Sequence, residues 1–271
     1  MTTASRPMIV PAAYRSLAAS LPLINFMSAS QRRSSLMNTA LGGAWNVINP
    51  LAQLGIYWFL IEVIFDRSGD YPTNAALFII VGIAHYIFFQ RALVLGAGAI
   101  HKNDRLLLQV RIEPLVFVGV AFREAAFDLL IALGLCVGFF LLLAPPAWHL
   151  PLLLYPVLLL GLGLLAWSWA VILATLSVFS RDLPNTLSIV LRLLLYMTPV
   201  VYPATMVPDR LRWVLELNPL AAWYSMMHWS VFAADPPRLA AVTGFLAVTA
   251  ASLLASHLLY ARLEPRFTKV L

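Results

Sequence analysis

Six apolar stretches, each close to the length that crosses a bilayer, constrain this chain more than anything else in it. Trp45–Phe65, Ala75–Ala97, Phe117–Leu143, Leu152–Phe179, Thr186–Tyr202 and Leu239–Tyr260 each approach the ~20 residues that cover a ~30 Å hydrocarbon core. Hydrocarbon offers no partner to a bare N–H or C=O, so each stretch must be a helix that satisfies its own backbone. The predicted fold class is therefore an all-α membrane protein with six transmembrane helices in one domain over residues 1–271. With 61% hydrophobic and 11% charged residues, the chain lacks the polar surface to cover a soluble globule. The lone Cys136 lies inside an apolar run, where a disulfide framework is impossible and a small packing residue fits.

The net charge of +6 sits in the connections, with no basic stripe interleaved with aromatics, so nucleic acid is not an expected partner. Arg6, Arg15, Arg32 and Arg33 precede the first span, Lys102, Arg105 and Arg111 follow the second, and Arg262, Arg266 and Lys269 follow the sixth. The positive-inside rule turns these to the cytoplasm, which leaves both termini inside. The connection Asp66–Asn74 carries only Arg67 against two acids and Ala144–Pro151 carries no Lys or Arg, so both fit the outer side. Pro203–Arg238 falls outside as well, its Arg210, Arg212 and Arg238 accompanied by Asp209, Glu216 and Asp235.

Leu17–Met27 is apolar, but Arg15 and Pro22 interrupt the region, and a signal peptide there would export Arg32 and Arg33. Residues 12–38 read instead as an amphipathic interfacial helix, broken near Pro22, with its arginines toward anionic headgroups. Short turns, Ser68-Gly69-Asp70 with Pro72 and then Pro145-Pro146, make the helices they join antiparallel neighbours. The long connection between the fifth and sixth spans is different: apolar, yet divided by Pro203, Pro208, Pro219, Pro236 and Pro237. Pro208 can open a short helix through Leu217, Asn218-Pro219 ends it, and Ala221–Phe232 forms another. Short re-entrant helices need protein or water at their ends, so residues 203–238 should cap a cavity.

Two spans carry matching polar stripes. Asn46, Asn49, Gln53 and Tyr57 on the first fall at offsets that confine them to an arc of roughly 80°. Asn185, Ser188, Arg192 and Tyr196 repeat the spacing on the fifth, and each stripe is ~16 Å long. Amides, hydroxyls and an aromatic rim without a titratable row suit a hydrated path for a sugar polymer; bonding to neighbouring helices is the plainer use of the same residues. An arginine inside a span costs at least ~2.5–3.5 kcal/mol unless paired, hydrated or snorkelling, so Arg192 needs a partner. Glu124 and Asp128, on one face of the third span, are candidates, with Arg91 competing for them; anionic groups of a substrate are the alternative.

Enzyme signals are thin. The sequence carries no G-x-x-x-x-G-K-[ST] loop, no H-E-x-x-H, no Cys/His ligand set and no G-x-S-x-G elbow. His85, His101, His149, His228 and His257 are scattered and suit packing or interfaces. Tryptophans such as Trp148, Trp213 and Trp223 suit the interfacial belt, the core or a stack on a sugar ring.

Taken in order, short fragments resemble a known family. Leu41-Gly42-Gly43-Ala44-Trp45 followed by Asn49-Pro50-Leu51 is similar to the start of the first span in type-2 ABC exporter permeases of the polysaccharide and O-antigen export branch. Ser180-Arg181-Asp182-Leu183, Thr198-Pro199-Val200-Val201-Tyr202, Val207-Pro208 and Leu217-Asn218-Pro219-Leu220 resemble that branch's second half. Two departures stand out: Gly82 is followed by Ile83-Ala84-His85-Tyr86 where a Trp is frequent, and Glu113 intervenes in Ile112-Glu113-Pro114.

The resemblance implies a homodimeric permease in the bacterial inner membrane, joined to two copies of an ATP-binding subunit and exporting a lipid-linked glycan. ATP and Mg would be bound by that partner, with no cofactor or metal in this chain. It implies a path lined by the first and fifth spans and a gate in the outer region holding Tyr202, Pro208, Trp213, Asn218 and Pro219. It also implies ATPase coupling around His101–Glu113, through Lys102, Asp104, Arg105 and Arg111, with Arg181 and Asp182 in the second half. A drug- or lipid-exporting permease would instead show an apolar cavity. An intramembrane lipid-modifying enzyme would bring Glu124, Asp128 and a histidine together, and a proton-coupled carrier would show inverted repeats.

Overall fold

The computed structural model describes residues 19–37, 42–59, 71, 73–110, 112–143, 149–180 and 182–269, all of it helix, turn or loop. Helix α1 is Leu21–Met37, and a short 3-10 turn at Gly42–Ala44 leads into α2, Trp45–Trp58. Helix α3 is Ala75–Ala99, α4 Asp104–Gln109, α5 Pro114–Leu143, and α6 Tyr155–Ser177 behind a 3-10 lead at Leu150–Leu154. Helix α7 is Leu183–Met197, α8 Arg212–Leu217, α9 Pro219–Phe232 and α10 Leu239–Leu263, which continues as a 3-10 turn to Lys269.

Four of these helices are long and apolar enough to cross a membrane: Ala75–Ala99, Pro114–Leu142, Leu150–Ser177 and Leu239–Phe267. The chain is a multi-pass, all-α membrane protein. The other two expected spans differ. Helix α2 starts at Trp45, and the remainder of the expected Trp45–Phe65 lies outside the described residues. Helix α7 is shorter than expected and is shifted towards the N terminus: it begins at Leu183, where Pro184 suits a first turn, and stops at Met197. Thr198 takes φ −115° and ψ 139° because the residue before Pro199 is pushed out of the α region. Fifteen residues reach only ~22 Å, less than the hydrocarbon thickness.

Helix α3 has no polar face, its few polar side chains (His85, Gln90 and Arg91 among them) being scattered around it, which suits burial on most sides rather than at a surface. Of its most apolar window 78% is buried, against 17% for α5 and 22% for α10, so α3 is the centre and the other two are the rim. Leu130, Val137, Leu141 and Leu142 of α5 and Leu246 and Leu254 of α10 are exposed. An apolar exterior of that extent needs lipid as its solvent. Asn74 starts α3 as its N-cap: its side-chain oxygen accepts from the N–H groups of Ala76 at 2.9 Å and Leu77 at 3.3 Å, supplying two of the orphan donors of a helix start.

The two ends of the bundle are distinct. At one, the ends of α3, α6 and α10 and the start of α5 share a cluster that includes Ile100, Leu115, Phe117, Val178 and Tyr260, and the Ser177 hydroxyl donates to the Ala97 carbonyl. At the other, the start of α3 meets α9 and the chain beyond α7. Helix α1 packs on α5 at the first of these ends, with Ile24 against Val116 and Val120. Its opposite face leaves Leu21 and Phe26 exposed, as an interfacial helix would. The expected break near Pro22 is present: Ala19 is helical, Ser20 is a turn, and Pro22 stands in the first turn of the new helix, where the Ile24 N–H donates to the Ser20 carbonyl.

Contact between α3 and α6 relies on a small residue: a Cβ at Gly96 would stand 2.7 Å from the Ala170 Cβ. Gly96→Leu should lower stability by about 1–3 kcal/mol, read as an earlier loss of the monodisperse peak when the detergent-solubilised protein is heated. Gly134→Ala, where nothing lies within 4 Å of the added carbon, should leave that temperature unchanged or raise it.

Candidate functional site

Helix α7 presents two contrasting faces. Leu187, Leu191 and Leu195 are buried, and Tyr86 of α3 donates its hydroxyl to the Leu191 carbonyl, which pins this face to the centre of the bundle. The polar stripe lies about a quarter turn or more away. Asn185, Arg192 and Tyr196 are exposed and Ser188 is half-buried, its hydroxyl donating to the Pro184 carbonyl at 3.1 Å. The side chains of Asn46, Asn49, Gln53 and Tyr57 lie outside the described residues, so only the fifth-span stripe can be located.

Arg192 makes no ion pair among the described residues, and the acids offered to it by sequence are held by others. Asp128 pairs with Arg91 at 2.8 Å, and Glu124 with Arg32 at 3.9 Å. Arg32 also lies 4.1 Å over the Phe127 ring. The pairing of Arg192 with Glu124 or Asp128 is thereby corrected: its face of α7 turns away from the bundle, whereas α5 turns its acids toward α1 and α3. Arg32, expected at lipid headgroups, ties α1 to α5 instead. The sequence offered no signal for that choice, because two neighbouring arginines on a short helix differ only in which way the helix is rotated.

The expected gate divides into an exposed part and a buried one. Trp213 and Leu217 of α8 are exposed, with Pro208, and their ion pairs are superficial: Arg212 with Asp209 at 3.0 Å and Arg238 with Glu216 at 3.6 Å. Helix α9 is core. Trp223 is fully buried and donates its Nε1–H to the Leu158 carbonyl at 2.8 Å. Tyr224 donates its hydroxyl to the Gly82 carbonyl at 2.7 Å, and Ser230 to the Pro151 carbonyl at 2.9 Å. A Cβ at Gly82 would collide with the Val200 carbonyl, so the turn after α7 rests directly on α3. Tyr71 fastens the same turn through the Val201 carbonyl at 2.7 Å, and Tyr202 donates to the Tyr196 carbonyl at 2.7 Å.

Asn218 is the hinge pin of this region. Its side-chain oxygen accepts from the Leu220 N–H at 3.0 Å, capping α9 ahead of Pro219. Its amide donates to the Thr198 hydroxyl at 2.8 Å and to the Met197 carbonyl at 3.3 Å. One side chain therefore joins the end of α7 to the start of α9. His85, fully buried, bonds the Val81 carbonyl through Nδ1 at 2.6 Å and the Tyr155 hydroxyl through Nε2 at 2.7 Å, which is a packing role.

The segment expected to couple to an ATPase sits at the opposite end. Lys102 and Arg105 are exposed and Asp104 half-buried, the Asp104 carboxylate accepting from the Arg105 N–H at 2.6 Å. Leu106 and Leu107 anchor α4 on the cluster below. Asp182 is exposed at the start of α7; Arg111 and Arg181 lie outside the described residues. Burial, with Glu264 adding a like charge, pushes Glu113 up to about 7. None of the described residues forms a group of three or more His, Cys, Asp or Glu able to hold a metal.

Asn218→Ala should cost about 1–2 kcal/mol by removing the cap, and Asn218→Asp, which keeps the cap but loses both donors, should fall between the two in thermal stability. Glu113 has its folded pKa raised, so its contribution is present at low pH and fades as pH rises through about 7. Glu113→Gln should flatten the fall in melting temperature between about pH 5 and pH 8.

Residues 23–232 match the ABC-2 type transporter family. An O-antigen export system permease protein RfbA of Klebsiella pneumoniae is 22% identical over 238 residues, covering 86% of this chain and 89% of that protein. One of the same description from Myxococcus xanthus is 28% identical over 190 residues, covering 67% and 69%. A second from Klebsiella pneumoniae is 25% identical over 190 residues, covering 68% and 70%. With an apolar helical bundle and a family match over most of its length, this chain belongs to the ABC-2 type transporter family, as a membrane subunit for transport.

Proposed function

We propose that the chain is the permease of an ATP-driven exporter that moves a lipid-linked, O-antigen-like polysaccharide across the bacterial inner membrane. In this reading it has six spans with both termini in the cytoplasm, and two copies act with two ATP-binding subunits that carry the ATP and Mg. The observation that carries the reading is the open polar face of α7. Asn185, Arg192 and Tyr196 are exposed on a helix whose other face is fixed to α3. An unpaired arginine facing lipid is costly, so this face is best satisfied by water and by a second copy that encloses a path. The names of the relatives favour a glycan as the cargo.

The layout supports a division of labour. Lys102 and Arg105 offer the ATPase a charged surface at one end of α3, and α3 reaches the far end as a single stiff rod. There it carries Gly82 and Tyr86, the contacts on which the turn after α7 and the middle of α7 rest. Displacement of the cytoplasmic end is thereby delivered to α7, the wall of the path. Helix α9 is too firmly bonded to open, so the moving part of the gate is the exposed chain 203–217, with Asn218 as its fixed end.

Removing the gene should abolish the surface glycan and leave its lipid-linked form inside the cell. An unchanged surface glycan would sink the proposal. In a complemented strain, Arg192→Gln should cut export about tenfold at an equal membrane level, the loss expected for one charge-assisted contact. Arg105→Glu should prevent an ATP-hydrolysing partner from co-purifying in mild detergent, and its retention would remove α4 from the docking surface.

A further inference from the structure

Helix α1 seats along one stripe of α5 and leaves a single charge there unanswered. Gly119, Arg123 and Phe127 follow one another at i, i+4 spacing, so they stand one above the next on one face of α5. A Cβ at Gly119 would lie 2.8 Å from the Ile24 Cδ1, and the Arg32 guanidinium lies 4.1 Å over the Phe127 ring, so α1 touches the stripe both before and after Arg123. Arg123 itself stays exposed. It makes no ion pair among the described residues, and the two acids nearest to it along α5 are taken, Glu124 by Arg32 and Asp128 by Arg91. Where α1, α3 and α5 meet, Arg32, Arg91 and Arg123 thus face only these two carboxylates, which leaves one positive charge in excess. Arg33 does not enter that balance, since it shares the outward face of α1 with the exposed Phe26.

The same stripe continues into lipid. Phe127, Leu130, Val137 and Leu141 are exposed on it, and Gly134, between them, has nothing within 4 Å of an added Cβ, which leaves a shallow apolar groove. Helix α5 has 30 residues and is ~45 Å long, more than the ~30 Å hydrocarbon core requires. Its far end is bare leucine, Leu141 and Leu142, whereas its near end is covered by α1, so the surplus length belongs to the near end. The ~20 residues that fill the core, taken back from Leu143, bring the edge of the hydrocarbon to Arg123. At that level the long side chain of an arginine reaches the headgroups, where anions are available to it.

We propose that Arg123 and the groove above it hold one anionic phospholipid, its phosphate on the guanidinium and an acyl chain along Phe127, Leu130, Gly134 and Val137. A guanidinium meets a phosphate with two parallel N–H···O bonds. The single excess positive charge matches a monoanionic phosphodiester, such as that of phosphatidylglycerol, whereas a diphosphate brings more negative charge than this junction balances. The bound lipid closes the edge where α1 seats on α5 and helps to keep α1 in its place. The site is on α5 and not on the polar face of α7, and it stands whatever the cargo is.

The test titrates phosphatidylglycerol and phosphatidylcholine onto the full chain, purified in mild detergent from cells with glycan synthesis switched off, and counts bound lipid by native mass spectrometry. Phosphatidylglycerol should bind about tenfold more tightly, the difference expected for one charge-assisted contact. Arg123→Gln should bring the two lipids within about twofold of each other, at an unchanged melting temperature in phosphatidylcholine, while Arg123→Lys keeps a preference and Arg33→Gln leaves it whole. Equal binding of the two lipids by the unmutated chain overturns the proposal, as does a preference that survives Arg123→Gln or vanishes in Arg33→Gln. A disulfide between two copies carrying Arg123→Cys would make this face a contact between copies, and displacement of phosphatidylglycerol by an equal concentration of a polyprenyl diphosphate would give the site to a lipid carrier; either result removes the phospholipid. Surface glycan reports the export reading separately, so that reading stands or falls on its own.

Discussion

Everything in this bundle depends on α3 having no polar face. A helix without a polar face can lie neither at a water surface nor at a single interface, so the other helices must enclose it, and they divide into those that hold it and those that meet lipid. Because α3 is both central and continuous, it touches one end of the bundle through Ile100 and reaches the turn after α7 through Gly82. A rigid axis of this kind makes distant ends act together without any special relay. The exposed apolar rim of α5 and α10 follows from the same fact, since what α3 does not need is left to lipid.

Polar groups inside the bundle are spent on joining helices. Tyr71, Tyr86, Trp223, Tyr224 and Ser230 each donate to a backbone carbonyl of another segment. In hydrocarbon such a bond has no competing water, so each fixes a position as well as contributing energy. The Val201 and Pro151 carbonyls belong to a turn and a 3-10 lead at the end of the bundle where α3 starts, whereas Gly82, Leu158 and Leu191 lie within α3, α6 and α7 and accept the side chain besides their own ladders. The ion pairs of α5 gather nearer the other end, and join α1 and α3 to it. The molecule is thus fastened at both ends, and the polar face of α7 and the chain at 203–217 stand outside the fastening.

Much of the candidate site was legible because helical spacing is a local property. The stripe of Asn185, Ser188, Arg192 and Tyr196 could be drawn from the residue numbers, and the short helices after Pro208 and Asn218 from proline and cap chemistry. Arg192 shows where legibility stops. Its need of a partner followed from the cost of a charge in a span, but the choice among Glu124, Asp128 and an open face depended on how α5 and α7 are turned about their axes. A cavity beneath residues 203–238 was expected from their prolines, but the burial of His228 was not, since a lone histidine in an apolar run looks like any packing residue until the walls around it are known.

The chain's own order of residues determined its residence in a membrane, its helical fold and the places where helices begin and stop. Those outcomes need only that each segment satisfy its own backbone and that Pro and Asn sit where they break or cap a turn. The tertiary structure alone decided that Arg32 takes Glu124 and Arg91 takes Asp128, that α9 is core while α8 is exposed, and that the His228 ring is buried among Phe78, Tyr224 and Phe232. Such outcomes are set by rotations and offsets between helices far apart in the chain, where a rotation by a quarter turn exchanges a buried neighbour for an exposed one without altering any local rule.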